Sequence, residues 1–273
     1  MERCGPASPG LPATRCAGSS PGGGAGAGRA LIAGVSGVRR TTAEGREGAT
    51  PGPAPASLPP GATPALRALE AYHRTTRPAA EVDAWLRTLA AEHAGFAVAL
   101  SVMPAGARRA EVLHMLVGQA LLGPPPQRPT CARGCCACCH YEVEVTADEA
   151  ELLAERVEAG LAVDEARLAA QAARSRGAPA WAALVAPENR CVFLADDGTC
   201  RVYAFRPAAC RKLLVVSPAV ECGQPGGQPH PITAPLAELA VAAARSLPGA
   251  ALSSLAAGLR AALARRAGAA DRP

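Results

Sequence analysis

The sequence predicts a mainly α-helical protein with a small, irregular, cysteine-rich core that contains a short β-hairpin. Apolar residues recur at helical spacing on both sides of a central segment. That segment holds nine of the eleven cysteines in the chain, together with residues typical of a tight turn. A length of 273 residues suits one or two domains.

Composition divides the chain into four parts. The first part, residues 1–60, is rich in Gly, Pro and Ala. Such a segment buries too little apolar surface to offset its ordering entropy, so we expect it to be disordered. The other parts are a helical segment at 61–123, a cysteine-cluster metal-binding domain at 124–232, and Ala-rich C-terminal helices at 233–273.

Capping residues and breakers place the first three helices. Thr63 and Pro64 suit an N-cap and a first helical residue. A second helix is predicted after Pro78 and a third from Ala107 to Leu122, where a Gly-Pro-Pro-Pro run stops it.

The cysteine-rich part also contains regular elements. Alternating residues at 140–145 predict a short strand, and Thr146 with Glu149 forms the capping box of the helix that follows. Further helices are predicted at 164–175, 234–246 and 250–266.

Two short apolar runs, Cys191–Leu194 and Cys200–Tyr203, flank an Asp-Gly pair and predict the hairpin. With a two-residue turn, Cys191 and Cys200 would lie roughly 13 Å apart along the strands. Two sulfurs on one zinc ion lie only about 3.8 Å apart. Either a bulge or looser turn bends this hairpin, or the two thiols serve different centres.

The crowding of cysteines indicates a metal centre, either zinc or an iron–sulfur cluster such as 4Fe–4S. Thiolates repel one another, and the x3 and x2 spacing of the first run lets its sulfurs converge on one ion or cluster. Adjacent side chains of an extended chain point to opposite sides, so one member of the vicinal pair suits a second centre. The candidate ligands, enough for two four-sulfur sites, are Cys131, Cys135, Cys138, Cys139, Cys191, Cys200, Cys210 and Cys222.

Basic residues lie beside the cysteines in sequence and could offset the charge of such sites. They are Arg133, Arg190, Arg201, Arg206, Arg211 and Lys212. The alternative is that they are ordinary surface residues. Pro207 suits a first helical position, which would place Cys210 in the first turn of a helix.

The pattern C-x3-C-x2-C-C, followed by C-x-F-L and then G-x-C-x-V-Y-x-x-R-P-x-x-C-R, resembles the YkgJ-type cysteine-cluster proteins. The resemblance covers roughly residues 128–225 and implies a zinc- or iron-chelating domain with the eight ligands given above. Cys136 lies outside the motif, and the sequence leaves open whether Cys136 or His140 is also a ligand. Some relatives resemble flagellin lysine methylases, which would imply a methyl donor.

Whether the protein is an enzyme is left open. C-x3-C-x2-C is also the cysteine spacing of radical S-adenosylmethionine enzymes. However, Ala137 stands where those enzymes usually have an aromatic residue, and too few residues follow the motif to form their partial barrel. Cys135 and Cys138 could form a redox C-x-x-C pair, but a thioredoxin-like βαβ pattern is missing. A structural-zinc interaction module is the non-enzymatic alternative.

Other classes receive little support. The net charge of +5 comes with no basic stripe containing aromatic residues, so nucleic-acid binding is not expected. No apolar run reaches the roughly 20 residues of a membrane span, and no secretory signal is visible. We therefore expect a cytoplasmic protein, where clustered cysteines serve as ligands rather than disulfides.

Overall fold

The computed structural model describes residues 56–122, 128–132, 134–182, 186–224 and 226–270. The predicted disordered tail therefore lies outside the described residues as far as residue 55. In the described part the chain is mainly helical, as predicted, with a two-stranded antiparallel sheet. The helices are α1 (Pro64–Thr76), α2 (Ala79–Ser101), α3 (Ala107–Ala120), α4 (Ala147–Glu158), α5 (Glu165–Ala172), α6 (Ala208–Lys212), α7 (Pro235–Ser246) and α8 (Leu255–Ala270).

The predicted helix starts agree closely with the structure, because their capping contacts are local. Thr63 Oγ1 accepts a hydrogen bond from Leu66 N at 3.3 Å and caps α1. Thr146 and Glu149 form the reciprocal capping box of α4. Residues 56–60, which the sequence assigned to the disordered tail, include Leu58, which packs against the core of α1 and α2.

The sheet pairs β1 (Glu144–Thr146) with β2 (Leu252–Ser254), and Val145 lies opposite Ser253. The sequence predicted one strand at 140–145 and a helix from residue 250. Instead, α8 starts only after β2, with Ser254 Oγ accepting from Ala257 N at 3.3 Å. Pairing with β1, a tertiary contact, overrides the helical pattern at 252–254.

The Ala-rich helix α7 is central to one part of the core. It packs against α1, α2, α3 and α6, and its alanines at 237, 240, 242 and 243 are fully buried. Small side chains let the neighbouring helices approach closely, with Leu100 and Leu113 among the larger residues that fill the remaining space.

A second part of the core anchors the cysteine-rich segment. Phe193, Val192 and Val202 are buried together with Leu153 of α4 and Leu259 of α8. Burial of a side chain as large as Phe193 stabilises the fold by about 2–3 kcal/mol. The cysteine-rich segment therefore has an apolar anchor of its own, between α4, α5 and α8.

No helix in the described part of the chain is both long enough and apolar enough to cross a membrane.

We predict that Gly61→Ala lowers the free energy of unfolding by about 2 kcal/mol or more. Gly61 has a φ of +74°, and an added Cβ would lie 2.2 Å from the carbonyl oxygen of Ala242 in α7. Chemical denaturation measures the effect. Gly160→Ala is the control, since Gly160 also has positive φ (+97°) but no atom within 4 Å of the added Cβ. Equal losses for the two variants would show that the close approach to α7 is unimportant.

Candidate metal centre

Eight cysteines in the described residues carry free thiols, and they are the eight predicted ligands. They are Cys131, Cys135, Cys138, Cys139, Cys191, Cys200, Cys210 and Cys222. Their side chains range from exposed at Cys131 to buried at Cys222. Cys136, the extra cysteine of the run, is also buried.

The vicinal pair Cys138 and Cys139 lies in a short 3₁₀-helix, Ala137–His140. Cys139 N donates to Cys136 O at 2.9 Å, which holds this turn closed. His140 is buried, and its Nδ1 lies 3.2 Å from the same carbonyl oxygen. Burial lowers the pKa of His140, so its neutral form is favoured.

The predicted hairpin is present as a single antiparallel bridge between Leu194 and Cys200. Its loop has three residues rather than two, since Ala195 N donates to Thr199 O at 2.9 Å and Gly198 has a φ of +80°. A second tight turn precedes it, with Leu194 N donating to Cys191 O at 2.9 Å. The sequence left open whether a looser turn bends the hairpin or Cys191 and Cys200 serve different centres. The structure shows the looser turn.

Two hydrogen bonds bring distant cysteine segments to the 3₁₀-helix at 137–140 and the residue that follows it. Cys191 N donates to Cys139 O at 2.7 Å. Tyr141 OH donates to Cys222 O at the end of a second 3₁₀-helix, Ala219–Cys222. The segments that carry Cys191 and Cys222 are therefore both attached next to the vicinal pair.

Cys210 lies in the first turn of α6, as predicted, although Pro207 is the N-cap rather than the first helical residue. The difference arises because the ψ of Pro207, 154°, is extended. The backbone N of Ala208, the next residue, donates to Glu149 Oε1 of α4 at 2.7 Å. A carboxylate from a different helix thus fixes the start of the helix that carries Cys210.

Glu149 has partners from three segments and is almost fully buried. Its carboxylate receives hydrogen bonds from Thr146 N at 3.0 Å and Ala208 N at 2.7 Å, and lies 3.2 Å from His114 Nε2. Burial raises the pKa of Glu149, but the contacts with His114 and the backbone donors outweigh burial and lower it overall. The sequence identified the capping role of Glu149 and missed its contact with α6.

The thiols fall into two groups by their electrostatic interactions. The first thiol group is Cys131, Cys135 and Cys222, and the second thiol group is Cys139, Cys191, Cys200 and Cys210. Burial raises the pKa of Cys222, and charge on Cys135, Cys138 and Cys131 raises it further. Burial also raises the pKa of Cys210, and charge on Cys191, Cys138 and Cys200 adds to the effect.

Cys138 is the one thiol that interacts strongly with both groups. Cys139 donates a hydrogen bond to Cys138, which lowers the pKa of Cys138 to about 7 and raises that of Cys139. Burial raises the pKa of Cys191 to about 11, and charge on Cys200 and Cys138 contributes. In the described residues, the contacts between the groups therefore run through the vicinal pair.

Two arginines place positive charge near the thiols. The charge of Arg206 acts on both Cys138 and Cys200, and its guanidinium lies 4.3 Å from the centre of the Tyr203 ring. Arg167 of α5, which the sequence analysis missed, donates from Nη1 to Cys191 O at 2.8 Å. Its distance of 24 residues from Cys191 explains why no local pattern revealed it.

The other predicted basic residues have different roles. Lys212 Nζ forms an ion pair with Glu238 of α7 at 2.8 Å, and Arg190 Nη2 donates to Ala195 O at 3.0 Å. Arg211 donates from Nε to the carbonyl oxygen of Arg206 at 2.9 Å and also interacts electrostatically with Cys210, whereas Arg201 is exposed. Arg133 lies outside the described residues.

The donor chemistry fits a soft metal, although the thiols do not converge on a common point. Among the described residues, no three Cys, His, Asp or Glu side chains are arranged closely enough to hold an ion. Two of the eight free thiols lie in the 3₁₀-helix at 137–140, and hydrogen bonds connect this part of the chain with the segments of Cys191 and Cys222. Thiolate donors select zinc and iron–sulfur clusters over hard cations.

Residues 130–223 match the model of the CxxCxxCC family, described as "Putative zinc- or iron-chelating domain". The match spans all eight predicted ligands and about a third of the chain. It confirms, for this segment, the resemblance to a cysteine-cluster domain. Searches of curated proteins and of solved structures returned no match to the chain.

We predict that Glu149→Gln lowers the free energy of unfolding by about 1–3 kcal/mol, because buried donors lose a charged acceptor. Urea denaturation of the metal-free protein measures the effect. Glu151→Gln, on the same helix, is the matched control. The ion pair of Glu151 with Arg265, whose side chain is 56% exposed, contributes no more than about 1 kcal/mol. A smaller loss for Glu149→Gln than for Glu151→Gln would contradict the role assigned to Glu149.

Proposed function

We propose that this protein binds zinc or iron through the thiolates of Cys138 and the two thiol groups. The observation that carries the proposal is the presence of eight free thiols between residues 131 and 222, with the vicinal pair linked by hydrogen bonds to the segments of Cys191 and Cys222. The match of residues 130–223 to a chelating-domain family supports it independently. Both lines of support concern the same segment of the chain.

Charge provides a further argument for a bound cation. The pKa of six of the thiols is raised, at Cys139 chiefly by its hydrogen bond to Cys138 and at the other five chiefly by burial, so a thiolate in any of these positions is costly without a positive partner. Arg206, Arg167 and Arg211 supply only part of the required positive charge. A metal ion supplies the rest and replaces the thiol protons.

The proposed donor set favours a closed site. Four thiolates fill the coordination sphere of zinc, which leaves no open position for water or substrate. Zinc bound in this way is structural, whereas an iron–sulfur cluster with the same ligands supplies electron transfer. The x3 spacing and the vicinal cysteines favour the iron–sulfur form, and zinc as a structural centre is the alternative.

The radical enzyme alternative receives no support from the fold. Such enzymes need a partial barrel of alternating strands and helices, whereas the described residues contain only a two-stranded sheet. A lysine-methylase-like activity rests on the resemblance alone, and no contact described above supports it.

Anaerobic purification followed by metal and acid-labile sulfide analysis tests the proposal. We predict stoichiometric zinc or iron in the isolated protein, and increased proteolysis of residues 128–225 after chelation, since the metal closes this segment. Zinc without colour indicates a structural centre, whereas iron with sulfide indicates a cluster. Cys16→Ser, outside the matched segment, is the control and should retain full metal content. An ion-free protein with unchanged protease resistance would contradict the proposal.

We also predict that metal affinity falls as the pH falls. Six of the thiols have raised pKa values and are protonated near pH 7, so each bound ion must displace protons. The apparent Kd for Zn²⁺ should be at least about 100-fold weaker at pH 6 than at pH 8. Competition with a zinc indicator measures the Kd, and proton release in weak buffer checks the cause. A Kd that does not change with pH would exclude thiol ligation.

A further inference from the structure

The helix that carries Cys210 is too short to hold its own position. α6 has five residues, Ala208–Lys212, and Cys210 is the central one. Isolated helices of fewer than about 12 residues are marginal in water, so contacts with the rest of the fold must set the position of this one. Within α6 only Ala208, at its start, is buried. The contacts that hold the other end of α6 therefore affect where Cys210 lies.

An ion pair with α7 fixes the end of α6. Lys212 Nζ donates to Glu238 Oε1 at 2.8 Å. The side chain of Glu238 is only 6% exposed and that of Lys212 20% exposed, so solvent and salt screen this pair weakly. Because Lys212 is two residues after Cys210, the ion pair attaches the chain to α7 close to the thiol.

The carboxylate of Glu238 is itself held in one orientation. Its second oxygen, Oε2, accepts a hydrogen bond at 2.6 Å from Oγ1 of Thr63, the N-cap residue of α1. With a partner on each oxygen, the carboxylate has little freedom to turn away from Lys212. The acceptor for Lys212 is therefore preorganised by contacts within the helical part of the molecule.

Buried carboxylates of two other helices thus hold α6 at both of its ends. At the start, Ala208 N donates to Glu149 Oε1 of α4 at 2.7 Å, and at the end Lys212 contacts Glu238 of α7. The two anchors lie two residues to either side of Cys210. Together they restrict both the translation and the tilt of the helix, which a single anchor does not.

We propose that Lys212 and Glu238 are positioning residues for metal binding, because their ion pair holds Cys210 where an ion can reach its thiolate. This inference rests on the proposed metal binding and deepens it, and neither Lys212 nor Glu238 contacts the ion. Residues that orient a metal ligand typically contribute about 10–100-fold to metal affinity. By thermodynamic linkage, a bound ion strengthens the attachment of α6 to α7 by the same factor.

The zinc affinity of matched variants tests the inference. The full-length apoprotein, reduced and kept anaerobic, is titrated with Zn²⁺ against a zinc indicator, and urea denaturation measures the stability of the same apoprotein. Lys212→Met should weaken the Kd about 10-fold, and Lys212→Arg, which keeps the charge and a donor, should restore most of the affinity. Arg245→Met is the matched control, since it removes an ion pair of α7 with Glu144 of β1, and the side chain of Arg245 is 19% exposed. It should lower stability and keep the wild-type Kd.

A double-mutant cycle identifies the thiol through which the ion pair acts. Cys210→Ser removes the thiol, and adding Lys212→Met to it should weaken the Kd no further, because no ligand is left to position. Lys212→Met leaves the carboxylate of Glu238 buried without its cation, which can prevent folding. In that case Lys212→Met/Glu238→Gln, which removes both charges, replaces it in every arm. Circular dichroism checks that each variant keeps its helices.

The outcomes separate this inference from the proposed function. A wild-type Kd in Lys212→Met, together with lower stability of the apoprotein, would show that the ion pair is merely structural and would overturn the inference. Equal weakening by Arg245→Met, or by Lys212→Met with and without the thiol of Cys210, would overturn it too. Wild type that holds no zinc or iron, either as isolated or after titration, would overturn the proposed function and this inference with it.

Discussion

One buried carboxylate, that of Glu149, links the helical part of the molecule to its cysteine-rich segment through hydrogen bonds. Glu149 accepts hydrogen bonds from the start of its own helix and from the start of α6, and it contacts His114 of α3. An ionised group at this depth is tolerated only when all of these donors are in position. The placement of Cys210 therefore depends on the packing of α3 against α4, although none of these helices contains another candidate ligand.

The positions of the other thiols also depend on contacts made elsewhere in the fold. Their sulfurs come from four separate stretches of chain. Hydrogen bonds to backbone groups, rather than contacts of the sulfurs, hold these stretches in place. Cys191 is held through Cys139 O and Arg167, whereas Cys222 is held through Tyr141. If these cysteines bind an ion as proposed, the fold positions the segments that carry the donors before the ion binds.

Local signals in the sequence predicted most of the helices, whereas the assignment of the eight cysteines as ligands stays a prediction. Thr63, Thr146 and Glu149 identified helix starts correctly, since a cap involves residues only three apart. The sequence missed β2, the turn at Cys191–Leu194 and the contact of Arg167 with Cys191. β2 and the Arg167 contact depend on partners distant in the chain, such as the pairing of Val145 with Ser253. The turn at Cys191–Leu194 is local, but its sequence, Cys-Val-Phe-Leu, is typical of a strand.

The short pairing of β1 with β2 has a consequence for ion affinity. The paired residues of these strands lie 106 to 110 residues apart in sequence, and the strands join the two ends of a loop that contains Cys191, Cys200, Cys210 and Cys222. Closing a loop of this length costs conformational entropy, and the cost rises with the logarithm of its length. Here the strand pair and the Phe193 core close the loop. An ion that binds the thiols would therefore order only short segments within the loop. Because the fold has already offset the entropy cost of closing the loop, it would strengthen the apparent affinity for the ion.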